Sequence, residues 1–251
     1  MNNMSENISS WKLRLNNTYG VLRFLELLAN VADDNGWRNN TELFVGGDVL
    51  RIAAFNKEHT VLLIIKIKEY RRRPLKDGRY SIDIPSLKNA LRRTNLDPNA
   101  LEGTDEQVSI NYIDEPKSFR VEKRDDKIYD RVEFNPAASF QMHVQDLQNI
   151  LRGVSVLVGR NTKLVFEVSE GALTLSSKND ETVLTIKKLL PITAVAGEGK
   201  AIYNIRYIKP FATTLDKNTA FTAKFAPEKP LCFSLTTSSL EAEYYIAPFI
   251  P

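Results

Sequence analysis

Short runs of alternating apolar and polar residues dominate the chain, at 11–15, 62–68, 108–112, 163–168, 172–176, 182–188 and 219–225. Each such run predicts a half-buried β-strand. Four segments instead carry the apolar spacing of an amphipathic helix. They are 19–32, with Val21, Leu22, Leu25, Leu28 and Ala29; 86–95; 145–157, with Leu147, Ile150, Leu151 and Val154; and 204–215. The pattern predicts a strand-rich α+β chain with four short helices.

The order of these elements repeats. In each half a strand (11–15, then 140–144) feeds a helix, further strands follow, and another strand (80–84, then 201–203) feeds a second helix. Helices start at 18 and 86 in the first half and near 146 and 204 in the second, which predicts two similar domains with diverged loops. The seam falls at Phe134-Asn-Pro-Ala-Ala-Ser139, where a proline and small residues interrupt the strand pattern. The expected division is an N-terminal domain over 11–133, a connector over 134–139 and a C-terminal domain over 140–251.

Composition adds mostly exclusions. The 251 residues, 43% hydrophobic and 26% charged, are enough to bury a large core or two ordinary ones. The longest apolar run, Val61 to Ile65, is far short of a membrane span, so no membrane association is expected. Residues 1–10 are polar and read as a loose extension and not as a signal peptide, which places the chain inside the cell. The net charge of +3 divides evenly between residues 1–134 and 135–251, so any contact with nucleic acid has to come from local arrangement.

Catalytic constellations are missing. There is no phosphate-binding glycine loop, and Gly46-Gly47-Asp48 reads as a hairpin turn. The single cysteine, Cys232, sits in an apolar strand and reads as a small core hydrophobe. Two histidines, His59 and His143, are too few for a zinc cluster. The chain is expected to be no enzyme and to need no cofactor or metal, which favours a binding or scaffolding role.

Basic residues on the predicted helices carry the functional signal. Lys88 and Arg92 stand at i and i+4 with Arg93 adjacent, opposite Leu87, Ala90 and Leu91. Arg206 and Lys209 stand at i and i+3 on the last helix, Arg152 lies late on the third, and the first offers Arg23 beside Glu26. Taken singly, each cluster reads as a solvated helix face, as Arg71-Arg72-Arg73 reads as a solvated loop. Helices of two duplicated domains, however, would collect these residues on one surface suited to phosphates, with salt-dependent and sequence-independent affinity.

The C-terminus resembles a known family. Residues 227–235, PEKPLCFSL, and 243–251, EYYIAPFIP, resemble the Pro-Leu strand and Tyr-Tyr-aliphatic-Ala-Pro strand that close the DNA sliding clamps of the proliferating cell nuclear antigen family, eukaryotic and archaeal type. Tyr203-Asn-Ile-Arg-Tyr-Ile-Lys-Pro-Phe211 is similar to the family's last helix, and HVQDLQNILRGV (143–154) to the first helix of its second domain. In the first half, AAFNKEHTVLLI (53–64) and DIPSLKNALRRTN (83–95) resemble the histidine-bearing segment and the second helix. The likeness is strong at the C-terminus and loose over 1–50 and 97–140.

The resemblance implies two clamp domains, each with antiparallel sheets outside and two short helices on the inner face. It implies that Arg92, Arg152 and Arg206 face DNA phosphates, with Lys88, Arg93, Lys209 and Arg23 near them. Phe55, Pro230, Tyr245, Ala247 and Pro248 would form a pocket for short aromatic-bearing motifs, with His59 beside it. Edge strands near 127–134 (Lys127, Tyr129, Val132) and 182–189 (Val183, Thr185, Lys187) would pair between subunits and close a three-chain ring. The implied function is a DNA polymerase processivity factor that encircles double-stranded DNA and tethers polymerase, ligase, nuclease and clamp loader. Such a protein would be associated with DNA, in the nucleus of a eukaryote or the cytoplasm of an archaeon.

Several features depart from the family's pattern. Pro210 lies inside the last helix, which predicts a kink or an early end there. The connector is short, and Asn56 stands where the family carries an acidic residue. Alternative readings are a subunit of a heterotrimeric or checkpoint clamp, or a ringless adaptor that kept the clamp fold and the peptide pocket.

Overall fold

Alternation in the sequence becomes antiparallel pairing in three dimensions. A computed structural model of the chain describes residues 11–14, 18–31, 41–46, 49–67, 78–91, 100–104, 106–111, 116–125, 132–155, 162–178, 183–188, 195–238 and 240–249. The chain divides into two units. One comprises Met1–Lys57, Ile65–Tyr129 and Thr237–Leu240, and the other Glu58–Ile64, Asp130–Thr236 and Glu241–Pro251.

The first unit holds β1 (Trp11–Arg14), β2 (Thr41–Gly46), β3 (Val49–Phe55), the end of β4 (Val61–Ile67), β5 (Gly78–Ile82), β6 (Ala100–Gly103), β7 (Gln107–Asn111) and β8 (Lys117–Lys123). Strands run in the order β1-β6-β7-β8-β5-β2-β3. Gly46 lies opposite Val49 in the β2–β3 pair, and the turn expected at Gly47 and Asp48 lies outside the described residues. Helices α1 (Thr18–Val31) and α2 (Ile84–Leu91) pack together, α1 against β3 and α2 against β8. On α1 the residues Val21, Leu25, Leu28 and Ala29 are buried as the spacing predicts, joined by Phe24 and Leu27, while Leu22 is only half-buried.

The second helix begins at Ile84 and not at the predicted 86. Proline at position 85 accounts for this, since its missing N–H and fixed φ suit a first helical turn. The N–H of Leu87 closes that turn onto the Asp83 carbonyl at 3.0 Å. The Ser86 hydroxyl then accepts the Arg120 N–H at 2.8 Å and fixes α2 to β8. Thr41 has a similar role in the sheet, its buried hydroxyl accepting the Ile82 N–H at 2.8 Å. Beside it Glu42, with a side chain 1% exposed, is neutralised by Arg51 at 3.1 Å.

The second unit holds two sheets. One runs β4-β17-β16-β15-β9-β13 and the other β12-β11-β10-β14. Their strands are β9 (Ala138–His143), β10 (Lys163–Ser169), β11 (Ala172–Lys178), β12 (Val183–Lys188), β13 (Val195–Gly197), β14 (Gly199–Asn204), β15 (Ala220–Phe225), β16 (Leu231–Thr236) and β17 (Leu240–Ile246). Residues 132–137 have no regular structure, so the last two positions of the expected connector already lie in β9.

Aromatic rings fill the space between these sheets. Phe140 of β9 stacks on Phe166 of β10 with centroids 6.0 Å apart, and Phe225 and Tyr203 complete the cluster. Helices α3 (Val144–Ser155) and α4 (Ile205–Thr214) lie against each other. From α4, Phe211 enters a second cluster with Phe221, Phe233 and Tyr244 at 4.8–5.4 Å.

Pro210 neither ends nor shortens α4, which continues to Thr214. The ring forfeits the bond its N–H would make to the Arg206 carbonyl. Anchorage on both sides keeps the helix intact: Phe211 is locked among aromatic rings, and Thr213 donates its hydroxyl to the Lys209 carbonyl at 2.9 Å.

Candidate functional site

Burial of one face of α3 and of α4 leaves an exposed arginine on each. On α3 the side chains of Val144, Leu147, Ile150 and Leu151 are buried, and Arg152 in the last turn is exposed. On α4 the buried side is Ile205, Ile208, Phe211 and Ala212, with Arg206 exposed and Lys209 half-exposed. The two helices are tied by Gln148, whose Nε2 donates to the Ala212 carbonyl at 2.7 Å. The second unit therefore carries Arg152, Arg206 and Lys209 on two adjoining helices.

In the first unit Lys88 is half-buried in the last turn of α2. Arg23 is turned along α1 to Glu26, at 2.7 Å. Arg92 and Arg93 lie outside the described residues, as do Arg71, Arg72 and Arg73.

Arg206 is held by several groups at once. Its backbone N–H is capped by the Asn204 side chain at 3.0 Å, which starts α4. Its guanidinium lies over the Tyr207 ring, 4.5 Å from the centroid, and donates to both Glu58 and the Tyr207 hydroxyl. Tyr207 in turn donates its hydroxyl to the same Glu58 carboxylate. Hydrogen bonding to Glu58, and then to Tyr207, raises the already high pKa of Arg206 and keeps it charged.

Neither Glu58 nor Tyr207 was identified from sequence as a site residue. Glu58 did carry a signal: it immediately precedes His59, in the segment where the expected acidic position is filled by Asn56. Tyr207 lies inside the helix segment 203–211 that resembles the family's last helix.

Four of the predicted pocket residues collect at one end of the second unit. Leu231 of β16 is opposite Ile246 of β17, which places Pro230 and Ala247 just beyond that pair at the same end of the hairpin. The Ala247 N–H bonds to the Thr60 carbonyl at 2.7 Å, bringing His59 and Pro248 alongside. Two residues on, the Phe249 N–H bonds to Ile202 at 2.8 Å, and Lys163 sits over the Phe249 ring at 4.0 Å. Tyr245 is 4% exposed with its hydroxyl on Glu243 at 3.0 Å, so it supports this end from beneath. Phe55 belongs to the first unit and is half-buried.

His59 is exposed and adopts φ 54, a left-handed backbone that histidine takes more readily than a β-branched residue. Burial pushes the phenols of Tyr203 and Tyr244 well above their ordinary range. Both are anchors: Tyr203 donates to the Lys229 carbonyl at 2.9 Å and Tyr244 to the Tyr207 carbonyl at 2.7 Å.

Of the expected subunit contacts, Val183, Thr185 and Lys187 lie on β12, one of the two outer strands of its sheet among the described residues. Val132 is half-buried and outside any strand, and Lys127 and Tyr129 fall outside the described residues. Among the described residues no group of His, Cys, Asp or Glu is clustered as a metal ion would require, and no helix is long and apolar enough to cross a membrane.

This architecture, antiparallel sheets with a contacting helix pair in each unit, is that of the DNA sliding clamps. Solved structures of PCNA share it. A. fulgidus PCNA with the C-terminal region of FEN-1 bound matches with TM-score 0.76 over 96% of this chain and 99% of that one, at 12% identity. The PCNA2–PCNA3 complex from Sulfolobus tokodaii matches at 0.74 over 94% and 98%, with 15% identity. PCNA from Entamoeba histolytica matches at 0.74 over 97% and 100%, with 16% identity. The sequence itself matches no family model and no curated protein.

Proposed function

We propose that the chain is a sliding-clamp subunit, a non-enzymatic ring component that encircles duplex DNA and tethers replication and repair enzymes. The carrying observation is that the PCNA fold extends over nearly the whole of this chain and of each solved counterpart. In this reading domains 11–133 and 140–251 are joined by the connector at 134–139. Arg152, Arg206 and Lys209, with Lys88, Arg92, Arg93 and Arg23 from the first domain, meet phosphates without reading bases. The edge position of β12 among the described residues supports pairing between subunits, since an unpaired strand edge is a template for another chain. The end formed by His59, Pro230, Ala247 and Pro248 is the docking place for enzymes, a reading supported by the A. fulgidus PCNA structure that holds a region of FEN-1.

Light scattering on the pure protein at micromolar concentration tests this. Three chain masses, stable at two salt levels, is the expected result. A monomer or dimer rejects the self-sufficient ring. It would favour the second reading, a subunit of a mixed ring, which the likeness to the PCNA2–PCNA3 complex supports.

A further inference from the structure

We infer that Glu58 is an internal substitute for a phosphate: it occupies the oxyanion site made by Arg206 and Tyr207, and DNA must displace it. The inference rests on the clamp reading above and adds to it a residue that tunes the grip on DNA.

The site is built before any ligand arrives. Arg206 is set by the Asn204 cap at its own N–H and by its position over the Tyr207 ring. Tyr207 is set by the buried Tyr244 hydroxyl on its carbonyl at 2.7 Å. A guanidinium and a phenol hydroxyl thus converge on one point, and the carboxylate of Glu58 takes both donors. Both donors meet the same carboxylate oxygen, Oε2 of Glu58, and a phosphate oxygen accepts guanidinium and hydroxyl donors as a carboxylate oxygen does. Glu58 reaches them from a turn, 148 residues away in sequence, where His59 holds a left-handed backbone.

Both partners remain open to exchange. The side chains of Arg206 and Glu58 are 47% and 51% exposed, so the ion pair is of the kind that contributes little on its own. A phosphate can therefore take over Arg206, while Glu58 lowers the net gain and keeps binding weak enough for the protein to slide. The competition also joins the two ends of the proposed function, since Glu58 adjoins His59 at the enzyme-docking end.

Fluorescence anisotropy with a labelled 40-base-pair duplex, read between 50 and 200 mM KCl, tests the inference on wild type, Glu58→Gln, Arg206→Gln and the double variant. Glu58→Gln is expected to tighten binding about threefold to fivefold, in keeping with a weak exposed pair. Its salt slope should steepen by about 0.9, the value of one added phosphate contact. In the Arg206→Gln background the same substitution should do nothing. Unchanged binding by Glu58→Gln, in a protein whose DNA affinity falls on Arg152→Gln, overturns the inference and leaves the clamp reading standing. An equal gain with and without Arg206 overturns it too, because the effect is then general charge. No DNA binding by any variant rejects both.

Discussion

The side-chain amide of Gln148 donates to the backbone carbonyl of Ala212 at 2.7 Å, and this bond joins α3 to α4. Carbonyls near the end of a helix lack intrahelical partners, so Gln148 satisfies a group that would otherwise need water. Gln148→Ala should cost about 1 kcal/mol in denaturant unfolding, the usual net value of one such bond. Gln148→Glu should cost more, because a carboxylate facing a carbonyl offers no donor.

Phe211 is the hub of the aromatic cluster beneath α4, within 5.4 Å of Phe221, Phe233 and Tyr244 by ring centroid. Truncating it leaves a cavity among rigid rings that cannot collapse to fill it. Phe211→Ala should lose about 3–5 kcal/mol of stability, measured by the shift of the denaturant midpoint. It should also release α4 at Pro210, visible as reduced helical circular dichroism.

Alkaline stability should depend on Tyr203 and Tyr244. Burial raises both phenols in the folded state, so folding favours their neutral forms. Their stabilisation is complete below the unfolded value of about 10 and is lost as pH rises above it, because only the unfolded chain then releases those protons. Absorbance at 295 nm should show these two phenols ionising only with unfolding. Tyr244→Phe and Tyr203→Phe should each flatten the fall of stability above that pH.

Gly197, at φ +75, has a fixed requirement. A Cβ there would stand 2.1 Å from the Ala137 carbonyl oxygen, which also accepts the Glu198 N–H at 3.2 Å. Gly197→Ala must shift backbone and not a flexible side chain. A loss of about 2 kcal/mol or more is expected in thermal melts. Little change would show that β13 and residue 137 can separate without consequence.

Arg152 is exposed at the last turn of α3, and in the clamp reading it meets a phosphate. Arg152→Gln should weaken binding to duplexes of any sequence alike. The slope of log affinity against log salt should become shallower by about 0.9. A sequence-dependent loss would point to base contacts instead.

Much of the fold was legible because burial repeats with a short period. The positions Leu147, Ile150 and Leu151 announce α3, and all are buried. Alternation likewise marks β10, where Leu164, Phe166 and Val168 point to the core. β8 was less readable: only Phe119 and Val121 are buried in it, between exposed charges, and two positions make a weak period. β13 is three residues long and offers no pattern at all.

The site was legible only in part. Outward basic residues follow from helix spacing, and Arg152 and Arg206 are exposed as that spacing predicts. The carboxylate that meets Arg206 could not, because Glu58 arrives from a distant turn whose placement depends on tertiary structure. The length of α4 was hidden for a related reason: local propensity allows an early end at Pro210, and the helix runs on to Thr214 with Phe211 held in a ring cluster.

The segment after β17 illustrates how a tail can be made permanent without a side chain. Ala247 and Phe249 each commit a backbone N–H, one to Thr60 and the other to Ile202, on strands or turns of different sheets within the same unit. Between them stands Pro248, the one residue type with no N–H to offer, at the one position of the three where these two ties need none. Moving the proline by a single residue in either direction would unfasten one tie. The order Ala-Pro-Phe thus works as a buckle whose fit is written in the main chain, so these positions tolerate changes of side chain better than any shift of the proline.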